Sequence, residues 1–321
     1  MNIKDYLTMD NFQIAIVVFI SILIANYIYL RFLVYTKRVS NVDENEAFEG
    51  FSNPSEHDKG ALAILGNDHI FDDFYAQVYD QLVDGKVRTK AEVTYSLNWI
   101  KSYRPDVKSI EVLDIGCGTG NAVDEYKKAG VQKAVGIDRS DAMISYGRKK
   151  FPKLDLRVGD AEIIGTCAPN EFNVATLYYF TYYYLKDRDN TLRNIYTWLQ
   201  MGSCLIIHLV NRDKFDPILE SASPFVAFSM QKYAKDRITQ SKVNFDKFEY
   251  EANFELEEND AQFKEIFSFK DGKTRKQIHR LRMPTMDEVV ATVERAGFTY
   301  KQFIDLTPVG YEYQYLFCFV K

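Results

Sequence analysis

The sequence predicts an α/β protein: a doubly wound, mostly parallel sheet, an antiparallel sheet inserted late in the chain, and one apolar helix ahead of the folded body. Three observations carry this. Short apolar runs alternate with helical stripes from about residue 110 to residue 210, the pattern of successive βαβ units. One of those runs enters a glycine-rich bend, VLDIGCGTG at residues 112–120. Farther on, VNFDKFEYEANFELEE and QFKEIFSF alternate apolar with polar residues, and Asp271-Gly272 then turns the chain into RKQIHRLRM, a hairpin signal between half-buried strands.

At 46% hydrophobic and 26% charged residues, a chain of 321 residues can bury a core, which excludes disorder as a whole. The formal net charge of −5 gives no general attraction to polyanions, and one short basic run at residues 273–282 is a weak footprint, so a nucleic-acid partner is disfavoured. Cys117, Cys167, Cys204 and Cys318 stand far apart without a CxxC pair, against both a zinc site and a disulfide framework and in favour of a reducing compartment.

Residues 12–30 hold no charge and are rich in Ile, Val, Leu and Phe, and residues 32–35 extend the apolar run beyond Arg31. As a helix the run nearly crosses a hydrocarbon core of roughly 30 Å, so residues 1–38 are expected to form a single transmembrane anchor that meets the membrane through residues 12–35. Arg31, Lys37 and Arg38 cluster after it, which places the body in the cytosol by the positive-inside rule. Residues 39–68 combine Asp43, Glu44, Glu46 and Glu49 with Gly50, Ser52 and Pro54, a composition that reads as a flexible acidic linker. The body, residues 69–321, opens on a helical stripe of Ile70, Phe74, Val78 and Leu82 with Tyr75 and Tyr79 beside it. A second helix is expected over residues 90–103, ending before Pro105.

Residues 110–115 read as a buried strand and residues 121–129 as the helix after it, so Gly116, Gly118 and Gly120 occupy a strand-to-helix turn. Glycine there permits backbone angles closed to other residues, and the free N–H groups of the new helix attract an anionic group. Asn121 stands where the dinucleotide pattern G-x-G-x-x-G would have other spacing, and Asp114 precedes the bend, so an NAD-dependent oxidoreductase is disfavoured. The next strand ends at Asp138, about 20 residues beyond the first glycine, where a carboxylate can accept from both hydroxyls of a ribose. A third strand ends in Gly159-Asp160-Ala161, within reach of an exocyclic amine.

In these residues the sequence resembles the class I S-adenosylmethionine-dependent methyltransferases: VLDIGCGTG, VGIDRSDAMI, VGDAE and FNVATLYYF fall in the family's order over about residues 111–208. The resemblance implies a Rossmann-like seven-stranded sheet, with the last two strands at residues 300–306 and 315–320. It implies that Asp114, Gly116, Gly118 and Gly120 surround the methionine part of S-adenosyl-L-methionine, that Asp138 holds the ribose and that Asp160 and Ala161 meet the adenine. Asn173 stands where the family often has an acid, and Gln200-Met201-Gly202-Ser203 replaces its Pro-Gly-Gly turn.

Ligands of open α/β sheets lie beyond the carboxyl ends of the strands, which brings LYYFTYYYLKD at residues 177–187 to the acceptor side. Tyr178, Tyr179 and Tyr182 are candidate substrate-binding residues, since aromatic faces attract cations. Tyr183 and His208 are candidate catalytic residues, His208 because an unperturbed imidazole titrates near neutral pH. No metal is expected. Residues 211–283 form the inserted β-rich region, a lid or a docking surface, similar in architecture to that of small-molecule N-methyltransferases. The reading is thus a membrane-anchored methyltransferase for a small-molecule or lipid-linked acceptor, amines ahead of hydroxyls. The alternative is a methyltransferase-like domain that has lost turnover and serves as a tethered binding or structural module.

Overall fold

The computed structural model describes residues 18, 20–25, 64–83, 86–217 and 237–321. The chain divides into two units, Met1–Phe51 and Ser52–Lys321. In the first, residues 18 and 20–25 are helical. The rest of the anchor expected over residues 12–35 lies outside the described residues, among which no helix is long and apolar enough to cross a membrane.

The second unit is built on a seven-stranded sheet in the order β11-β12-β6-β5-β2-β3-β4. Its strands are β2 (Glu111–Ile115), β3 (Lys133–Asp138), β4 (Asp155–Val158), β5 (Phe172–Leu177), β6 (Leu199–Val210), β11 (Thr299–Asp305) and β12 (Gln314–Val320). The first five run parallel and β12 is antiparallel to both β6 and β11. The middle one of the five parallel strands, β2, is buried along nearly its whole length, as a parallel strand covered on both faces must be. It pairs with β3 on one side and β5 on the other, so the topological switch point lies at its carboxyl end, where the glycine bend begins.

Helices on both faces complete the doubly wound core: α1 (Asn67–Ile70), α2 (Asp73–Val83), α3 (Lys86–Tyr103), α4 (Asn121–Lys128), α5 (Asp141–Lys150), α6 (Thr181–Tyr184), α7 (Arg188–Trp198) and α8 (Met286–Arg295). The Ser140 hydroxyl caps α5 by accepting the Met143 N–H, and Thr285 with Glu288 forms the capping box of α8 that the spacing predicts. Asn173, the departure at the start of β5, accepts the Glu111 N–H at 2.8 Å and donates to Ser109 O at 2.8 Å. A carboxylate could make only the first of those bonds.

The insert folds as expected into an antiparallel sheet: β7 (Gln240–Asn244), β8 (Phe248–Glu257), β9 (Asp260–Phe269) and β10 (Thr274–Arg282). Two features differ from the sequence reading. A short β1 (Ile64–Leu65) pairs in parallel with β10, so the folded body starts ahead of Asp68, inside the span expected to be linker. Helix α3 starts at Lys86 rather than at residue 90, which brings Arg88 into its first turn. Phe74 on α2 meets Phe267 and Phe269 edge to face at 5.2 and 5.6 Å, an aromatic seam that joins the inserted sheet to the helix in front of the switch point.

Candidate active site

Gly116, Gly118 and Gly120 all take positive φ, at 67°, 55° and 87°. At Gly116 this combines with space, because an added Cβ would lie 2.5 Å from Thr181 Cγ2. The bend is tied to β3: the Gly116 and Cys117 N–H groups donate to Ile137 O at 2.8 and 3.0 Å, and the Gly118 N–H donates to Asp138 Oδ2 at 2.9 Å. Asp138 Oδ1 accepts the Ser140 N–H at 2.9 Å. Burial pushes the Asp138 carboxyl up, and the two backbone N–H groups work against that push.

Asp114, buried at the end of β2, accepts from Thr176 Oγ1 at 2.8 Å. Its pKa is pushed up to about 7, first by burial and then by the charges of Glu92 and Asp138, with the Thr176 bond opposing. Asp160 accepts the Glu162 N–H at 2.8 Å through Oδ1, and the Ala161 carbonyl accepts from Asn194 Nδ2 at 3.0 Å. Around this turn Val158, Ile163 and Ile164 are exposed, apolar surface beside the acid assigned to the adenine.

Sequence reasoning passed over the contribution of α2 and α3. Asp80 accepts from Thr119 Oγ1 at 2.7 Å, Asn121 Nδ2 at 2.8 Å and Lys150 Nζ at 2.5 Å, which clamps α2 onto the glycine bend. The Tyr79 ring lies 3.6 Å from where a Gly118 Cβ would stand. Arg88 is buried with its guanidinium 3.6 Å from the centroid of the Tyr179 ring, and its Nε makes no hydrogen bond, Glu92 Oε1 standing 3.9 Å away. A buried guanidinium nitrogen without an acceptor is costly in a folded protein, and a ligand carboxylate would satisfy it. The helical stripe that places α2 was legible, but its polar positions gave no local signal.

The tyrosine run divides. Tyr178 is buried on the α3 side, where its hydroxyl donates to Ser96 Oγ at 2.8 Å. Tyr182 and Tyr183 are buried in the core under α7, and Tyr183 Oη accepts the Val210 N–H at 2.9 Å. The structure therefore places Tyr178, Tyr182 and Tyr183 in packing positions, away from an open wall. Tyr179, at φ 51°, lies under Arg88, and Tyr184 reaches the inserted sheet, where its hydroxyl is 2.7 Å from His279 Nδ1. The reason is the turn into α6: one residue per 100° sends neighbouring rings to different layers.

His208 is fully buried, its Nδ1 2.5 Å from Glu92 Oε1 and its Nε2 3.1 Å from Gln314 Oε1. Burial alone would raise Glu92, yet the His208 hydrogen bond and the charges of His208 and Arg88 outweigh it and hold the carboxyl below its usual range. Both ring nitrogens are thus engaged inside the core, one by Glu92 and one by Gln314, so His208 presents neither to a substrate and reads as half of a buried pair. Among the described residues no cluster of His, Cys, Asp and Glu could hold a metal ion.

Residues 112–202 match the family profile described as a methyltransferase domain. A curated relative, the dTDP-4-amino-2,3,4,6-tetradeoxy-D-glucose N,N-dimethyltransferase of Saccharopolyspora spinosa, is 26% identical over 142 residues, 43% of this chain and 55% of that protein. The chain thus spans about half the length of the curated relatives it matches. Among solved structures, an S-adenosylmethionine-dependent methyltransferase from Clostridium acetobutylicum superposes with a TM-score of 0.58 at 16% identity, over 77% of this chain and 97% of that one. The sugar N-methyltransferase KedS8 from a Streptoalloteichus species superposes with a TM-score of 0.56 at 18% identity, over 76% and 92% of the two chains. The fold is that of S-adenosylmethionine-dependent methyltransferases of known structure, and residues 112–202 carry the methyltransferase domain match.

Proposed function

We propose that this protein methylates an amine on a small-molecule acceptor, with S-adenosyl-L-methionine as donor. The observation that carries the proposal is the joint placement of Asp138, hydrogen-bonded to the glycine bend, and of Arg88, whose buried Nε lacks a hydrogen-bond acceptor over the ring of Tyr179, just beyond the carboxyl end of β5. The residues suit the donor end to end. Asp138 keeps acceptor capacity for a ribose diol, Arg88 would pair with the methionine carboxylate, the partly protonated Asp114 would face its ammonium, and Asp160 with Val158 and Ile163 would flank the adenine.

Bound there, the donor supplies an electrophilic methyl group. What the chain adds is position: it holds the two reactants in line, which makes the encounter effectively unimolecular. Amines are preferred because the relatives and structural neighbours include N-methyltransferases of amino sugars by name. The insert supports a small acceptor, since its aromatic seam with α2 would cover a pocket at the switch point.

The site assignments of Gly116, Gly118, Gly120 and Ala161 belong to the same reading. So does a single-pass membrane location with the body in the cytosol, supported by the uncharged run at residues 12–30 and the cations after it. An anchored enzyme could also draw its acceptor from a lipid-linked pool. The test is transfer of labelled methyl from S-adenosyl-L-methionine to dTDP-linked 3-amino and 4-amino deoxysugars and to simple primary amines. Transfer to an amine is the result expected. Tight donor binding with transfer to none of them would turn the reading to the tethered binding module.

A further inference from the structure

We propose that Tyr184 takes up the proton that the methyl acceptor gives up, with His279 and Glu265 as the relay behind it; this rests on the methyltransferase reading above. The three residues come from separate parts of the chain: Tyr184 ends α6 after the carboxyl end of β5, Glu265 lies on β9 and His279 on β10. Glu265 and His279 are both buried. Glu265 Oε2 is 2.6 Å from His279 Nε2, Glu265 Oε1 accepts from Tyr250 Oη at 2.6 Å, and His279 Nδ1 is 2.7 Å from Tyr184 Oη.

The chemistry fixes the direction of each bond. Glu265 is buried, and its two oxygens take the Tyr250 O–H and the Gln277 N–H, so the carboxylate stands as an acceptor toward His279 as well. The proton on the Glu265 side therefore belongs to His279 Nε2, and in the neutral ring Nδ1 is an acceptor that takes the Tyr184 O–H. The phenolic oxygen is left with its lone pairs as acceptor sites. This is the arrangement of a hydroxyl, an imidazole and a carboxylate in series, in which the carboxylate sets the tautomer and stabilises the imidazolium that forms.

Place supports the role. Tyr184 ends the short helix that opens at Thr181, whose hydroxyl lies 3.5 Å from the Gly116 carbonyl of the glycine bend, and Phe71 packs on both Tyr184 and His279, at 5.5 and 5.9 Å between centroids. The other groups facing His279 are Tyr75 Oη and Gln277 Nε2, each 3.4 Å from Nε2, and the Phe263 ring. A buried carboxylate and imidazole in a sheet that also buries Phe248, Phe254 and Phe267 give up stability that apolar residues would supply, a cost that a role in proton transfer accounts for.

In the step, the amine nitrogen forms its new N–C bond as the donor's C–S bond breaks, the bonding pair staying on sulfur. The N–H proton passes to Tyr184 Oη, and the Tyr184 proton passes to His279 Nδ1. The positive charge that began on sulfonium ends on an imidazolium paired with Glu265. An amine that has lost its proton can attack again, so the relay fits repeated methylation of one nitrogen.

The experiment uses the full chain and the variants Tyr184→Phe, His279→Asn and Glu265→Gln. Nitrogen-15 spectra of the histidines, with His279→Asn for assignment, need no acceptor: the wild type should show a bare Nδ1 and a protonated Nε2 at neutral pH, and Tyr184→Phe should shift the Nδ1 signal. Against the dTDP-linked amino sugars, Tyr184→Phe should lower kcat by roughly 100-fold or more with donor affinity unchanged within about twofold. Glu265→Gln should move the acid limb of the pH–rate profile. An Nδ1 that carries a proton at neutral pH, or Tyr184→Phe turning over at the wild-type rate with the wild-type profile, overturns the proposal. Wild-type protein that transfers methyl to no amine overturns the methyltransferase reading itself, and the two failures are read in different samples.

Discussion

Asp138 accepts the Gly118 N–H at 2.9 Å, so the tip of β3 and the bend after β2 form one unit. Any ligand that bonds Asp138 therefore also sets the glycine backbone, and the loop and the acid act together. Asp80 extends the unit to α2 through Thr119 and Asn121.

Arg88→Gln separates the two ends of the donor. The variant should weaken S-adenosyl-L-methionine by about 10- to 100-fold, the loss of a charge-assisted bond worth about 1.5–3 kcal/mol. It should leave 5′-methylthioadenosine, which lacks the carboxylate, unchanged. Calorimetric titration of both ligands decides it, and an equal loss for both would remove Arg88 from the carboxylate.

Asp114 predicts a proton release. Its folded pKa, about 7, lies above the reference of 3.8, so the native state holds the proton longer than the unfolded chain does. Stability from this group falls as pH rises from about 4 to about 7, by at most about 4 kcal/mol, and Asp114→Asn should flatten that slope. A cationic ligand end beside Asp114 lowers its pKa, so donor binding near pH 6.5 should release up to one proton, read from titrations in buffers of different ionisation heat, and Asp114→Asn should abolish the release.

His208 and Tyr183 are expected to matter for stability. His208→Phe takes from the buried Glu92 its hydrogen-bonded partner, with only the Arg88 Nε 3.9 Å away, and should cost about 3–5 kcal/mol in chemical denaturation. Tyr183→Phe removes the acceptor of the Val210 N–H and should cost about 1–3 kcal/mol. In folded protein both should keep the wild-type shape of the pH–rate profile. A lost limb in either variant would return that residue to the chemistry.

The division between what the sequence disclosed and what it withheld follows contact distance along the chain. The glycine bend, Asp138 and the capping box of Thr285 and Glu288 are local patterns, and the seven-stranded sheet expected around them is the one found. The Asp271-Gly272 turn likewise announced β9 and β10. Arg88 and Asp80 carry no local mark, because their roles arise only where α2 meets the bend and α3 meets Tyr179. The same holds for Tyr184 and His279, which meet across 95 residues. The tyrosine run showed that aromatic residues belong near the switch point but not which rings would turn inward, since that depends on where α6 begins.

The most direct test of the central claim is calorimetric titration of the full chain with S-adenosyl-L-methionine and its demethylated product, beside Asp138→Ala. Micromolar binding by the wild type, weakened at least about 100-fold in a variant that retains its fold, is the result predicted, as expected for the loss of two hydrogen bonds to a charged group. Folded wild-type protein that binds neither compound would contradict it.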